Sequence, residues 1–276
     1  MVDALNTGRA RALRAWHGQG VLVLPNAWDA ASAGLVVRAG AAAVATTSGA
    51  VAWSLGRPDG EGLTRDEMMS AVRRICAAVD VPVTADVEAG YGPSPEDVAA
   101  TVRAVVEAGA VGVNIEDARN GALLTVREQE RRLRAARDAA DAAGLPELVI
   151  NARTDVYLSG AGGPAEVLAR AVAYAEAGAD CLFVPGLTDL GALRELVAGS
   201  PLPVNAMTGP GGPSVADLAA VGVRRVSVGT SIAQAAYGLV ERAARELLES
   251  GAGDVLDPAL GYGDLNALFA RTPHGF

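Results

Sequence analysis

Two short runs place carboxylates where apolar strands end: Val83-Thr84-Ala85-Asp86-Val87-Glu88-Ala89-Gly90-Tyr91-Gly92 and Gly112-Val113-Asn114-Ile115-Glu116-Asp117. Asp86 and Glu88 are two residues apart, so an extended strand projects both to one face. Glu116 sits where the second run gives out. Buried carboxylates without partners are costly, so acids in such places need metal, water or cations beside them. Three acids converging from neighbouring strand ends predict a divalent metal site. The plainer reading of Asp86 and Glu88 is an interior ion pair with Arg153, but the acids outnumber that cation.

These acids need strands to carry them, and the chain repeats one local pattern. A helix-like stretch ends in Ala-Gly-Ala or a close variant, and a β-branched run follows. It occurs at Ala39-Gly40-Ala41, Ala108-Gly109-Ala110, Ala177-Gly178-Ala179 and Val221-Gly222-Val223. A glycine there takes the left-handed helix cap and turns the chain into the next strand. Four more runs, Val21 to Leu24, Pro82 to Val87, Leu148 to Ala152 and Leu202 to Ala206, complete a series of eight. Thr64, Ser94, Thr125 and Ser214 mark helix starts. Eight such units in ~250 residues predict a TIM (β/α)8 barrel, whose chemistry lies at the carboxyl ends of its strands. A doubly wound open sheet is the alternative, and no Gly-x-Gly-x-x-Gly follows the first strand to support a dinucleotide site. One domain is expected over 1–276, with residues 231–276 a C-terminal helical extension.

Composition narrows the function classes. The 276 residues are half apolar, enough for one large core, and carry a net charge of −9. That balance argues against nucleic acid and against an anionic membrane surface as partners. Cys76 and Cys181 have no metal-type spacing and read as small buried hydrophobes. His17 and His274 lie near the termini, which disfavours a histidine triad. The first 20 residues have no apolar run of the signal-peptide kind, and no run is long enough to span a membrane. The expectation is a reduced, cytoplasmic protein. Arg131, Arg132 and Arg134 read as a solvated helix face.

As an ordered set, Leu24-Pro25-Asn26-Ala27-Trp28-Asp29, Thr47-Ser48-Gly49-Ala50, Asp86 to Gly92, Asn114-Ile115-Glu116-Asp117 and Asn151-Ala152-Arg153-Thr154-Asp155 resemble the isocitrate lyase/phosphoenolpyruvate mutase superfamily, over roughly residues 20–270. The resemblance implies a barrel holding Mg2+, with Mn2+ as the alternative ion. It implies small 2-oxo or 2-hydroxy carboxylate substrates that react through an enolate. It also implies homo-oligomers, dimers or tetramers, in which the eighth helix is exchanged between subunits. Asp86 matches the direct metal ligand; Asp59, Glu88 and Glu116 match acids that hold the metal through water. Ser48, Gly49 and Ala50 match a backbone cradle for the substrate, and Arg153 matches its arginine anchor. Asn205 is expected to hydrogen-bond the ligand from the end of the seventh strand. Trp28, after the first strand, reads equally as core or as ligand-facing.

Two departures qualify the resemblance. Lyases of the superfamily carry a catalytic Cys in a loop after the fourth strand. Here that loop reads Ala118-Arg119-Asn120-Gly121-Ala122-Leu123-Leu124, without Cys, Lys or His. Tyr91 is then the nearest acid. Mutases use the same loop to handle a phosphonyl group, for which Arg119 and Asn120 are the only candidates. Glu88 stands where the family more often has Asp. The leading expectation is C–C cleavage or decarboxylation. The alternatives are P–C chemistry on a phosphonopyruvate-type substrate, and a catalytically reduced barrel that binds a keto acid.

Overall fold

The computed structural model describes residues 4–270, so His274 lies outside the described residues. Its main sheet is parallel. In chain order the strands and helices are α1 (Ala4–Trp16), β1 (Leu22–Leu24), β2 (Asn26–Ala27), α2 (Ala30–Arg38), β3 (Val44–Thr46), α3 (Ser48–Ser54), α4 (Arg65–Ala78), β4 (Val83–Asp86), α5 (Pro95–Ala108) and β5 (Gly112–Glu116). A hairpin of β6 (Ala118–Arg119) and β7 (Ala122–Leu123) follows. Then come α6 (Val126–Ala142), β8 (Val149–Arg153), α7 (Pro164–Glu176), β9 (Cys181–Phe183), α8 (Leu190–Gly199), β10 (Val204–Met207), α9 (Val215–Ala220), β11 (Arg225–Ser227), α10 (Ser231–Ser250) and α11 (Tyr262–Phe269).

The strand order is β1-β11-β10-β9-β8-β5-β4-β3-β2. Its two ends, β1 and β2, are one strand broken at Pro25, which has no N–H to give to the ladder. The ring therefore closes, and the eight runs read from the sequence are its eight staves. Thr64, Ser94, Thr125 and Ser214 each cap a helix, and each has a reciprocal acid three residues on. The glycines of the repeated pattern, Gly40, Gly109, Gly178 and Gly222, all have φ between +94° and +101°, where a Cβ would be strained.

Below the ring, α1 plugs the amino-terminal end. Leu13 is fully buried, and a Cβ on Gly112 would stand 3.1 Å from its Cδ2. His17 is buried there too, with Nδ1 2.8 Å from the Leu13 carbonyl oxygen. Burial and the nearby Arg225 push its pKa down to about 4. Inside the ring, Asn151 donates to Asn114 and to Asn205, and Arg225 donates to Asn114. Burial pushes both cysteine thiols up to about 12, so they act as small apolar groups. Among the described residues no helix is long and apolar enough to cross a membrane.

Candidate active site

The strand ends carry the acids. Asp86 closes β4, and Ser48 begins α3 directly after β3. Asp86 Oδ2 accepts the Ser48 N–H at 3.1 Å and lies 2.9 Å from its hydroxyl. The Asp86 N–H donates to Thr46 Oγ1 at 2.8 Å. Asp59 reaches the same hydroxyl from its turn, Oδ1 to Oγ 3.3 Å. Gly49 makes room for it: a Cβ there would lie 2.9 Å from Asp59 Oδ2. Ser48, Gly49 and Ala50 form the first turn of α3, where N–H groups have no partner within the helix.

Glu88 departs from the strand expectation. The strand stops at Asp86, and Glu88 takes a left-handed backbone, φ +51°. Period-two projection therefore does not set its direction; local bonds do. Its carboxylate accepts the Glu61 N–H, and its Oε1 accepts the Tyr91 hydroxyl at 3.1 Å. Tyr91 also has a left-handed backbone, φ +56°. Arg132 holds this loop by donating to the carbonyls of Ala89, Gly92 and Pro93. It is 2% exposed, which corrects the reading of that position as part of a solvated helix face.

Arg153 ends β8 beside Glu116, Nη1 to Oε2 2.8 Å. Its fork is taken by Asp155, Nε to Oδ1 2.6 Å and Nη2 to Oδ2 2.8 Å. Asp155 is positioned in turn by Asp117, whose Oδ1 accepts its N–H at 2.9 Å. The other Asp117 oxygen accepts from Arg170 Nη1 at 2.9 Å and from the Tyr174 hydroxyl at 2.7 Å.

The electrostatics are those of acids short of cations. Burial raises the Asp86 carboxyl, against the pull of Arg153 and Ser48. It pushes Glu88 up to about 7 and Glu116 up to about 9. Burial and the neighbouring carboxylates hold the Tyr91 phenol above its ordinary range, so it stays protonated. A hard divalent cation suits such all-oxygen donors, and Mg2+ takes few protein ligands and keeps its waters. Among the described residues no three His, Cys, Asp or Glu side chains form a ready-made cage. As oxygen donors, these carboxylates are of the kind that such an ion takes.

A cavity of about 270 Å³ opens over these acids, lined by Glu61, Glu88, Glu116, Arg119, Asn120 and Asp155 among others. Its outer wall is the β6–β7 hairpin. Asn120 and Gly121 both have positive φ, +51° and +76°, the two-residue turn favoured in tight hairpins. Two of the expected ligand-binding residues lie elsewhere. Asn205 is mid-strand and fully buried, with its amide bonded to Asn151 and to the Ala206 carbonyl. That places it below the site rather than at a strand end. Trp28 faces a separate groove with Asp29, Ser54 and Arg74, and its ring centroid is 6.2 Å from that of Tyr237. Sequence reasoning gave no role to Asp155, although it closes the Asn151–Asp155 motif. Glu61 carried no signal, because a glutamate with φ +59° is unexpected.

The phosphoenolpyruvate phosphomutase family model matches residues 13–248. An uncharacterized protein of Mycobacterium tuberculosis is 37% identical over 253 residues, covering 91% of this chain and 93% of its own. The 2-methylisocitrate lyase of Escherichia coli is 36% identical over 180 residues, covering 62% of this chain and 59% of that enzyme. A crystal structure from Burkholderia cenocepacia superposes with a TM-score of 0.90 at 40% identity, covering 96% of this chain and 98% of that one.

Proposed function

The chain belongs to the phosphoenolpyruvate phosphomutase family, within the superfamily of carbon–carbon lyases and mutases, and from that premise we propose a Mg2+-dependent enzyme acting on a small 2-oxo or 2-hydroxy carboxylate through an enolate. The observation that carries this reading is the gathering of Asp86, Glu88 and Glu116 at neighbouring strand ends, where among the described residues Arg153 is the one cation in an ion pair with any of them; burial raises all three carboxyls. Mg2+, when bound, would polarise a keto oxygen and neutralise the charge developing there. Asp86 would hold it, with Asp59, Glu88 and Glu116 bonding its waters.

The protein groups have distinct tasks. Ser48 fixes the Asp86 carboxylate with its N–H and hydroxyl. The N–H groups of Gly49 and Ala50 suit a substrate carboxylate. Arg153 orients Glu116 and supplies positive charge over the cavity floor. In decarboxylation the breaking C–C bond leaves its electron pair in the enolate, and a proton returns to carbon. Tyr91, protonated and bonded to Glu88, is the side chain assigned to give it; water is the other source. Decarboxylation or C–C cleavage is favoured over P–C transfer because Arg119, the one cation of the hairpin, is already paired with Glu61. Asp86→Ala tests this site: Mg2+-dependent turnover should disappear with little change in melting temperature. Full activity in that variant would refute the assignment.

The same reading includes assembly. In a closed barrel the helix after the last strand covers the outer face of the first. Here Val23 of β1 is 40% exposed, in a groove of about 460 Å³ lined by Trp16, Val21, Pro25 and Val36. Meanwhile α10 buries only Ala233 and leaves Leu239, Val240, Leu247 and Leu248 exposed. Exchange of α10 between two copies would cover both surfaces.

A further inference from the structure

The outer half of the acid cavity holds a feature that the proposed chemistry does not use. Glu61 lies at the rim in a left-handed conformation, held at both ends of its residue. Its N–H meets the Glu88 carboxylate, and its Oε1 accepts the Tyr91 N–H at 2.9 Å. Its second oxygen, Oε2, stands 3.4 Å from Arg119 Nε. The hairpin fixes Arg119 opposite it, because the tight turn at Asn120-Gly121 and the 2.7 Å bond from the Leu124 N–H to the Asp117 carbonyl leave this short loop little freedom.

The charges of the lining follow from these contacts. Glu61, Glu88, Glu116 and Asp155 face the cavity, and Arg119 is the one cation among its lining residues. Arg153, beneath, is committed to Glu116 and Asp155. A substrate group that extends from the reacting carbon to the hairpin meets Glu61 and Arg119 in the cavity wall. A phosphonyl group, doubly charged at neutral pH, would meet the Glu61 carboxylate or have to displace it from Arg119. An alkyl, hydroxyl or singly charged group meets no such barrier. Rejection by a placed like charge is a common way to set specificity.

Resting on the enolate reading above, we infer that Glu61 is a specificity-determining residue: by holding a negative charge beside Arg119 it excludes substrates with a dianionic distal group and restricts the site to 2-oxo and 2-hydroxy carboxylates whose distal group is neutral or singly charged. The test is calorimetric titration of the full chain, in Mg2+, with oxalate and with phosphonopyruvate. Oxalate has no distal group and reports the inner site alone. Glu61→Gln keeps an acceptor for the Tyr91 N–H and removes the charge. It should bind phosphonopyruvate about 10-fold more tightly than the wild type, with oxalate affinity changed less than about 3-fold. Adding Arg119→Met to that variant should abolish the gain. Arg119→Met alone, a change on the partly exposed hairpin, should leave the weak wild-type affinity for phosphonopyruvate as it is.

Three results would overturn the inference while leaving the enolate reading intact. These are no gain in Glu61→Gln, a gain that persists in the double variant, and a loss of about 10-fold or more in Arg119→Met alone, which would mean that Arg119 already receives the phosphonate. Failure of the wild type to bind oxalate in Mg2+ would instead sink the enolate reading, and the role of Glu61 with it.

Discussion

Asp155 grips Arg153 through two parallel hydrogen bonds, Nε to Oδ1 at 2.6 Å and Nη2 to Oδ2 at 2.8 Å. The arginine expected to clasp a substrate carboxylate therefore has its fork filled by its own chain. What remains for ligand and acids is Nη1, 2.8 Å from Glu116, and the outward edge of the guanidinium. Arg153 acts as a braced positive charge that keeps Glu116 in place.

Arg153→Lys keeps the charge and loses the planar fork. Hydrogen bonds to charged groups contribute about 1.5–3 kcal/mol, but the fork's bonds are to Asp155 and reach the ligand only through the placement of the charge and of Glu116, so KM should rise about 3- to 10-fold. The melting temperature should fall by only a few degrees. Steady-state kinetics set beside a thermal melt checks this. A large stability loss with unchanged KM would make Arg153 a purely structural ion-pair member.

The brace has a second support. Tyr174 donates to Asp117 at 2.7 Å, and Asp117 holds the Asp155 N–H. Tyr174→Phe removes one bond of a fully buried carboxylate and should cost about 1–3 kcal/mol of stability. Because Asp155 positions Arg153, KM should rise as well, while the pH profile of kcat keeps its shape. Urea unfolding and kinetics on one preparation measure both. An unchanged KM would confine Asp117 to a structural role.

His17 sets an acid limit on stability. Its folded pKa is lowered from 6.5 to about 4, chiefly by burial. Protons therefore bind the unfolded chain first as pH falls. The sign is a loss of stability that begins below about pH 6.5 and is complete near pH 4, reaching about 3 kcal/mol from this group. His17→Gln should flatten that part of the urea-stability profile between pH 7 and pH 4.5. An unchanged slope would place the linkage in other groups.

The proposed assembly rests on two exposed surfaces, the outer face of β1 at Val23 and the apolar face of α10. Light scattering at low micromolar concentration should report a dimer or tetramer. Val240→Glu, at a position 64% exposed in the single chain, should shift it toward monomer. A 27.9 kDa monomer for the unaltered chain would rule out helix exchange.

Much of the fold is legible because its signals are local. The glycine caps, the Thr64, Ser94, Thr125 and Ser214 helix starts and the eight apolar runs are each set by a few adjacent residues. The acids at strand ends are legible for the same reason. What the sequence hides depends on distant partners. Arg132 looks like a surface arginine until the carbonyls of residues 89–93 come to it across the α5–α6 packing. The fork of Arg153 looks free until the chain turns Asp155 back upon it. Glu88 alternates with Asp86 on paper, but the strand ends first. Asn205 sits one layer too deep because its run extends to Met207 rather than stopping at Ala206.

The central claim is an enolate-forming, Mg2+-dependent reaction of a carboxylate at the Asp86 site. Its most direct test is a turnover screen in Mg2+, with an EDTA control, over oxaloacetate, 2-methyl- and 2-hydroxy-dicarboxylates, 2-methylisocitrate and phosphonopyruvate. At least one of the first three classes should be cleaved or decarboxylated, with the activity lost in EDTA. 2-Methylisocitrate should react at least about 100-fold more slowly, since residues 118–124 supply no Cys, Lys or His as proton donor. Turnover that survives EDTA, or conversion of phosphonopyruvate alone, would contradict the claim.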